Sequence, residues 1–320
     1  MIEVIDVSKR YGKHLAVDRV SFKVDKGEVL GFLGPNGAGK TTVMNIIAGY
    51  IPMTGGRVTV DGLDVVENGH EVRRKIGYLP EVPPVYGDMT VEEYCTFVSR
   101  VKHVPRRERR QHIGEIMEKV QIADVRRRLI RNLSKGYRQR VGLAAAMIGN
   151  PEVLILDEPT VGLDPKQIIE IRNLIKELGE THTVILSSHI LPEVSAICER
   201  IVIINRGRIV ASDTPDNLSQ RLGGGNDLVI RVPGQAEAAV RVLQAVSDIS
   251  DVEVMGEREP GTVDLLVKSE RDARSDIFFA FSKAELPLLT MKPFDLTLEE
   301  IFLQVTQDPQ EGSDDVSSVS

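Results

Sequence analysis

The chain has 320 residues, 42% hydrophobic and 27% charged, with a net charge of -7, which suits one large globular domain plus a smaller one. That acidic balance speaks against indiscriminate nucleic-acid binding, because phosphate backbones reward an excess of Lys and Arg. Cys95 and Cys198 stand far apart in no metal-type spacing, so a disulfide framework is excluded and buried thiols in a reducing compartment are expected. No apolar run approaches the ~18 residues of a membrane span. Glu3, Asp6, Lys9 and Arg10 sit where a signal core would be, and a cytoplasmic protein is expected.

In chain order, β-rich runs at 2–7, 21–24, 29–33, 57–60 and 75–79 read as strands. Apolar residues at helical spacing make 41–48 a helix that opens just after a glycine-rich turn. From about 88 to 150 the pattern is helical, opened by a capping box in which Thr90 caps the amides and Glu93 reaches back. Within it, residues 100–140 are rich in Lys and Arg, which serve either solvated helix faces or a surface toward an anionic partner or lipid head groups. Strands return at 153–156, 183–187 and 199–205, separated by helices such as 165–178, the grammar of a parallel α/β sheet.

Gly223, Gly224, Gly225 and Asn226 then mark a linker, which divides the chain into a domain at 1–222 and a second at 223–307. Strands at 228–232, 251–255, 262–268 and 287–291 with helices at 236–245 and 271–281 give the β-α-β-β-α-β order of a ferredoxin-like α+β sandwich. A last helix at 298–306 follows a capping box of Thr297 and Glu300, and the acidic, serine-rich 308–320 reads as a disordered tail.

Gly34-Pro35-Asn36-Gly37-Ala38-Gly39-Lys40-Thr41 fits the phosphate-loop pattern and lies between an expected strand and an expected helix. Glycines there let backbone amides face phosphates, Lys40 neutralises β- and γ-oxygens, and Thr41, followed by Thr42, can hold Mg²⁺. Downstream, the apolar run 153–156 ends in Asp157 and Glu158, two acids that are costly at a buried strand end unless they meet a cation or water. Asp157 is the expected Mg²⁺ ligand and Glu158 the expected general base for an attacking water. Hydrolysis of a nucleoside triphosphate with Mg²⁺ as cofactor is therefore expected, and the resemblance that follows implies ATP.

Leu133-Ser134-Lys135-Gly136-Tyr137, placed after the helical stretch and before the acidic strand, makes the chain resemble the ABC ATPases over about 2–222. The resemblance implies a P-loop NTPase (RecA-like) α/β core with an antiparallel β subdomain and a helical subdomain. It implies a head-to-tail homodimer, or a heterodimer with a second ATPase subunit, in which Ser134 and Gly136 complete the nucleotide site of the opposite subunit. It further implies that Tyr11 stacks on adenine, that Gly162-Leu163-Asp164 crosses the dimer interface, and that His189 senses the γ-phosphate beside Glu158. Two features depart from the family. Glu81 replaces the usual Gln, keeping a metal contact but losing the amide donor, and Lys135 and Tyr137 flank Gly136 in the signature.

The wording of 133–140 with Ser187-Ser188-His189 is closest to the ABC-2 branch, including the gliding-motility ATPases. There, C-terminal extensions ending in a motif similar to 297–302 are common, and export runs through a separate integral-membrane permease. The expected function is thus an ATPase subunit peripheral on the inner face of the membrane, with no nucleic-acid partner. The alternatives are a soluble mechanochemical ATPase acting on ribosomes or DNA, and a nucleotide-gated binding module with negligible turnover.

Overall fold

The computed structural model describes residues 1–222, 226–234, 236–257 and 259–294, which form two compact units divided between Thr214 and Pro215. The division follows the end of a strand at Asp213, where Pro215 has no N–H to continue a ladder. The helix Pro215–Leu222 therefore belongs to the second unit. The glycines at 223–225, the helix expected at 298–306 with its capping box, and the tail at 308–320 lie outside the described residues.

The first unit opens with β1 (Ile2–Tyr11), β2 (His14–Val24), β3 (Val29–Leu33), α1 (Lys40–Ile47), β4 (Gly55–Val60) and β5 (Leu63–Asp64). It continues through α2 (Gly69–Lys75), β6 (Ile76–Leu79), α3 (Val91–Val101), α4 (Arg109–Lys119) and α5 (Lys135–Met147). It closes with β7 (Val153–Asp157), α6 (Pro165–Gly179), β8 (Thr183–Ser188), α7 (Leu191–Ser195), β9 (Arg200–Asn205) and β10 (Arg208–Asp213).

Two sheets result. One is antiparallel in the order β2-β1-β4-β5, and the other runs β10-β9-β3-β8-β7-β6, parallel from β9 to β6 with β10 antiparallel at the edge. Every residue of β3, β7 and β8 is buried, as a strand covered on both faces requires. Phe32, Met44 and Ile47 share one core with Val4, Val20 and Val58 of the antiparallel sheet and with Ile155 and Ile185 of the parallel one. Each such side chain fully buried contributes about 1.5–3 kcal/mol, so α1 is clamped between the sheets. The helical insert is α3, α4 and α5, and the capping box of Thr90 and Glu93 at the start of α3 is complete.

The second unit contains α8 (Pro215–Leu222), β11 (Leu228–Pro233), α9 (Ala236–Gln244), β12 (Ile249–Gly256), β13 (Thr262–Ser269), α10 (Arg274–Lys283) and β14 (Thr290–Pro293). Its four strands pair antiparallel in the order β12-β13-β11-β14, the sheet of a ferredoxin-like sandwich. Leu243, Leu265, Val267, Ile277 and Phe281 are at its centre. Two elements start three residues later than expected. The helix expected from 271 starts at Arg274, because the Asp272 carboxylate accepts from the Arg274 N–H and guanidinium in a local turn. The last strand begins at Thr290 rather than 287, beyond Pro287, which cannot donate.

Among the described residues, no helix is long and apolar enough to cross a membrane. Cys95 and Cys198 are both buried free thiols. Burial pushes Cys95 up to about 12 and raises Cys198 as well, so neither is a poised nucleophile.

Candidate nucleotide site

Strand β3 delivers the chain to the phosphate loop, and α1 carries it away. Gly39, at the helix N-cap, has φ 108 and makes no side-chain cap, so the first-turn amides of α1 stay available to an anion. A Cβ on Gly39 would sit 2.7 Å from the Ala16 carbonyl oxygen, which only glycine avoids. Lys40 is 6% exposed, and its amine donates to the carbonyls of Gly34 (2.8 Å) and Pro35 (3.4 Å).

Glu158, one residue past β7, is also 6% exposed and takes φ 50. Its backbone N–H holds that left-handed turn by donating to the Ser187 carbonyl (3.2 Å) and hydroxyl (3.0 Å) at the end of β8. A non-glycine residue there costs about 1–3 kcal/mol, a strain concentrated at functional sites. One Glu158 oxygen lies 3.4 Å from Lys40 Nζ and the other 2.8 Å from His189 Nδ1. Three expected catalytic groups thus form one chain of contacts. With its Nδ1 proton directed at Glu158, a neutral His189 ring presents Nε2 as an acceptor, so donation to a phosphate requires a second proton or release of Glu158.

These residues open onto a cavity of about 710 Å³ lined also by Tyr11, Asn36, Gly37, Gly39, Thr41, Thr42 and Glu81. Tyr11 is 49% exposed, with the Lys9 amine 5.0 Å above its ring centroid. Sequence reasoning missed His14, Ala16 and Val161, which also line the cavity. The first two belong to the hairpin that Tyr11 begins, with Tyr11 opposite His14, a pairing that the motif spacing does not carry.

Asp157 is fully buried behind this wall. Its Oδ1 accepts from the Ser187 hydroxyl, and its Oδ2 has no hydrogen-bond partner among the described residues. An orphaned carboxylate oxygen beside a phosphate loop, with the Thr41 hydroxyl and Glu81 carboxylate on the adjoining cavity, is a donor set suited to a hard divalent cation.

Ser134 and Gly136 are not on this cavity. Ser134 caps α5, its hydroxyl accepting from the Tyr137 N–H at 3.3 Å. Gly136 lines a separate hollow of about 320 Å³ with Asp164, Gln167 and Arg140. The Lys135 side chain crosses over Gly162, and Asp164 caps α6 through the Gln167 N–H at 2.9 Å. The Tyr137 hydroxyl donates to Asp124 at 3.0 Å, the contact that raises its pKa.

Comparison with known proteins agrees with this geometry. Residues 17–161 match the ABC transporter family. The chain is 33% identical over 307 residues to the linearmycin resistance ATP-binding protein LnrL of Bacillus subtilis (strain 168), covering 96% of this chain and 98% of that one. It is 35% identical over 309 residues to the daunorubicin resistance ATP-binding protein DrrA3 of Streptomyces coeruleorubidus, covering 96% of each. Among solved structures, the dimeric structure of MJ0796, a bacterial ABC transporter cassette, superposes with a TM-score of 0.63 at 28% identity, covering 67% of this chain and 98% of that one. The chain belongs to the ABC transporter family, in the ABC-2 branch, and is the ATP-binding, ATP-hydrolysing subunit of such a transporter.

Proposed function

We propose that two copies of this chain clasp two ATP molecules head to tail, and that closure and hydrolysis drive export through a separate membrane permease. The observation that carries the reading is the division of the phosphate-binding parts. Lys40, Glu158 and His189 converge on one cavity, whereas Ser134 and Gly136 present a second helix N-terminus away from it. A second copy supplies the missing half of each site.

In this reading the amides of 37–41 and Lys40 bind the β- and γ-phosphates, and Tyr11 stacks on the base. Glu158 takes a proton from the attacking water, oriented by His189, while Ser134 and Gly136 of the mate hold the γ-phosphate. Gly34, Pro35, Asn36 and Ala38 shape the loop. Thr41 and Asp157, with Glu81, would hold Mg²⁺, which when bound neutralises charge on the β- and γ-oxygens.

Export is supported by relatives named for resistance to linearmycin and daunorubicin and by their likeness along nearly the whole chain. Permease docking is supported by a groove of about 380 Å³ between the parallel sheet and the helical insert, walled by Tyr50, Leu79, Pro80, Tyr94, Val98 and Val101 just before Glu81. Tyr50 and Val101 are 66% and 60% exposed, an apolar surface suited to a partner. Such docking makes the chain peripheral on the cytoplasmic face of the membrane.

The test mixes two inactive variants, Lys40→Ala and Ser134→Arg. Each alone should release almost no phosphate. In a head-to-tail dimer the mixture regains one intact site in half of the dimers, about a quarter of the parent rate. Parent-level turnover by either variant alone would overturn the reading.

A further inference from the structure

Strands β6 and β7 are parallel neighbours with Tyr78 opposite Ile155 and Leu79 opposite Leu156. Side chains alternate along a strand, so Asp157 shares the face of Ile155 and Tyr78 is its diagonal neighbour. Both the Tyr78 hydroxyl and Asp157 Oδ2 are sealed from solvent, and neither has a hydrogen-bond partner among the described residues. A buried donor and a buried acceptor left unsatisfied on neighbouring strands are a burden that native interiors rarely carry. The only other orphan of this kind in the described residues is Gln139 Nε2, on α5.

We propose that Tyr78 is a positioning residue for Asp157: its hydroxyl closes onto the neighbouring unpartnered Oδ2 and steadies it, as Ser187 already steadies Oδ1, so that the carboxylate meets a divalent cation in one fixed plane. The proposal rests on the cation reading of Thr41, Asp157 and Glu81 given above. It also gives the docking groove a physical connection to the site. The Tyr78 ring lines that groove and packs against Tyr50, with ring centroids 5.2 Å apart. One side chain therefore spans from the surface offered to the permease to the acid behind the phosphate loop, and whatever displaces the ring displaces the carboxylate's partner.

Tyr78→Phe removes only the hydroxyl and keeps the ring. The measurement is Mn²⁺ binding to the full-length chain with ADP present, followed by electron paramagnetic resonance. Losing an outer-shell partner of a metal ligand typically weakens affinity about 10–100-fold, and about tenfold or more is expected here. ADP affinity without metal should be unchanged, which separates a fault in the carboxylate from a fault in the fold. Addition of Mn²⁺ should also perturb a tyrosine ultraviolet signal in the parent that is missing from Tyr78→Phe. Unchanged Mn²⁺ affinity in Tyr78→Phe beside a large loss in Asp157→Asn would overturn the proposal and leave the cation reading standing. Unchanged affinity in both variants would overturn the two together.

Discussion

The two helix N-termini assigned to phosphate differ in how their amides are occupied. At α1 the cap is Gly39, which has no side chain to spend on the helix, and Lys40 stands immediately inside. At α5 the cap is Ser134, whose hydroxyl is already engaged by the Tyr137 N–H. The first end is built by backbone alone within one unit. The second is self-satisfied, and a phosphate arriving there competes with the helix's own cap. On the proposed head-to-tail reading, affinity for nucleotide belongs to the phosphate loop, while the signature adds selectivity for the closed pair.

The largest effect that sharpens this contrast is expected from Glu158→Gln. Removing a general base typically lowers rate 10²–10⁴-fold. Phosphate release should fall by about that factor, while ATP binding persists and a dimer becomes visible by size-exclusion chromatography with ATP. If the variant hydrolyses ATP at the parent rate, Glu158 is not the base.

Gly39→Ala comes next. The positive φ alone costs about 1–3 kcal/mol, and the Ala16 carbonyl adds a backbone clash, so calorimetry should find nucleotide binding abolished. Parent-like binding would mean that the loop has another way to turn. Ser134→Ala should cost about 1 kcal/mol through the lost cap, seen as a lower midpoint in urea, while ATP still binds to the isolated copy. Equal loss of binding in both variants would erase the distinction between the two ends. Gly136→Ala is the mildest for stability, under about 1 kcal/mol, because its new methyl meets only the movable end of Gln167.

Much of this was legible in the sequence because it is local. A phosphate loop needs eight consecutive residues, and the acidic strand end needs a run of buried apolar residues followed by Asp157 and Glu158. The ferredoxin-like order of the second unit follows from alternating strands and helices. What escaped was weakly amphipathic or distant in sequence. Helix α2 buries Val72 alone, and strand β10 has no fully buried residue, so neither leaves a strong apolar period. Strand β3 lies between β8 and β9, more than 150 residues away in sequence, and no motif records that pairing. The closeness of Tyr78 to Asp157 is a matter of register, which spacing along one chain does not contain. Dimerisation and the trans role of Ser134 came from family resemblance.

The 3.4 Å approach of Lys40 to Glu158 gives the site a built-in interlock. On the proposed reading, the amine that grips the phosphates is also the counter-ion of the carboxylate that activates water, so the two duties exclude one another until the guest intervenes. On that reading, phosphates that draw the amine away free the base, which ties commitment to hydrolysis to recognition of the guest.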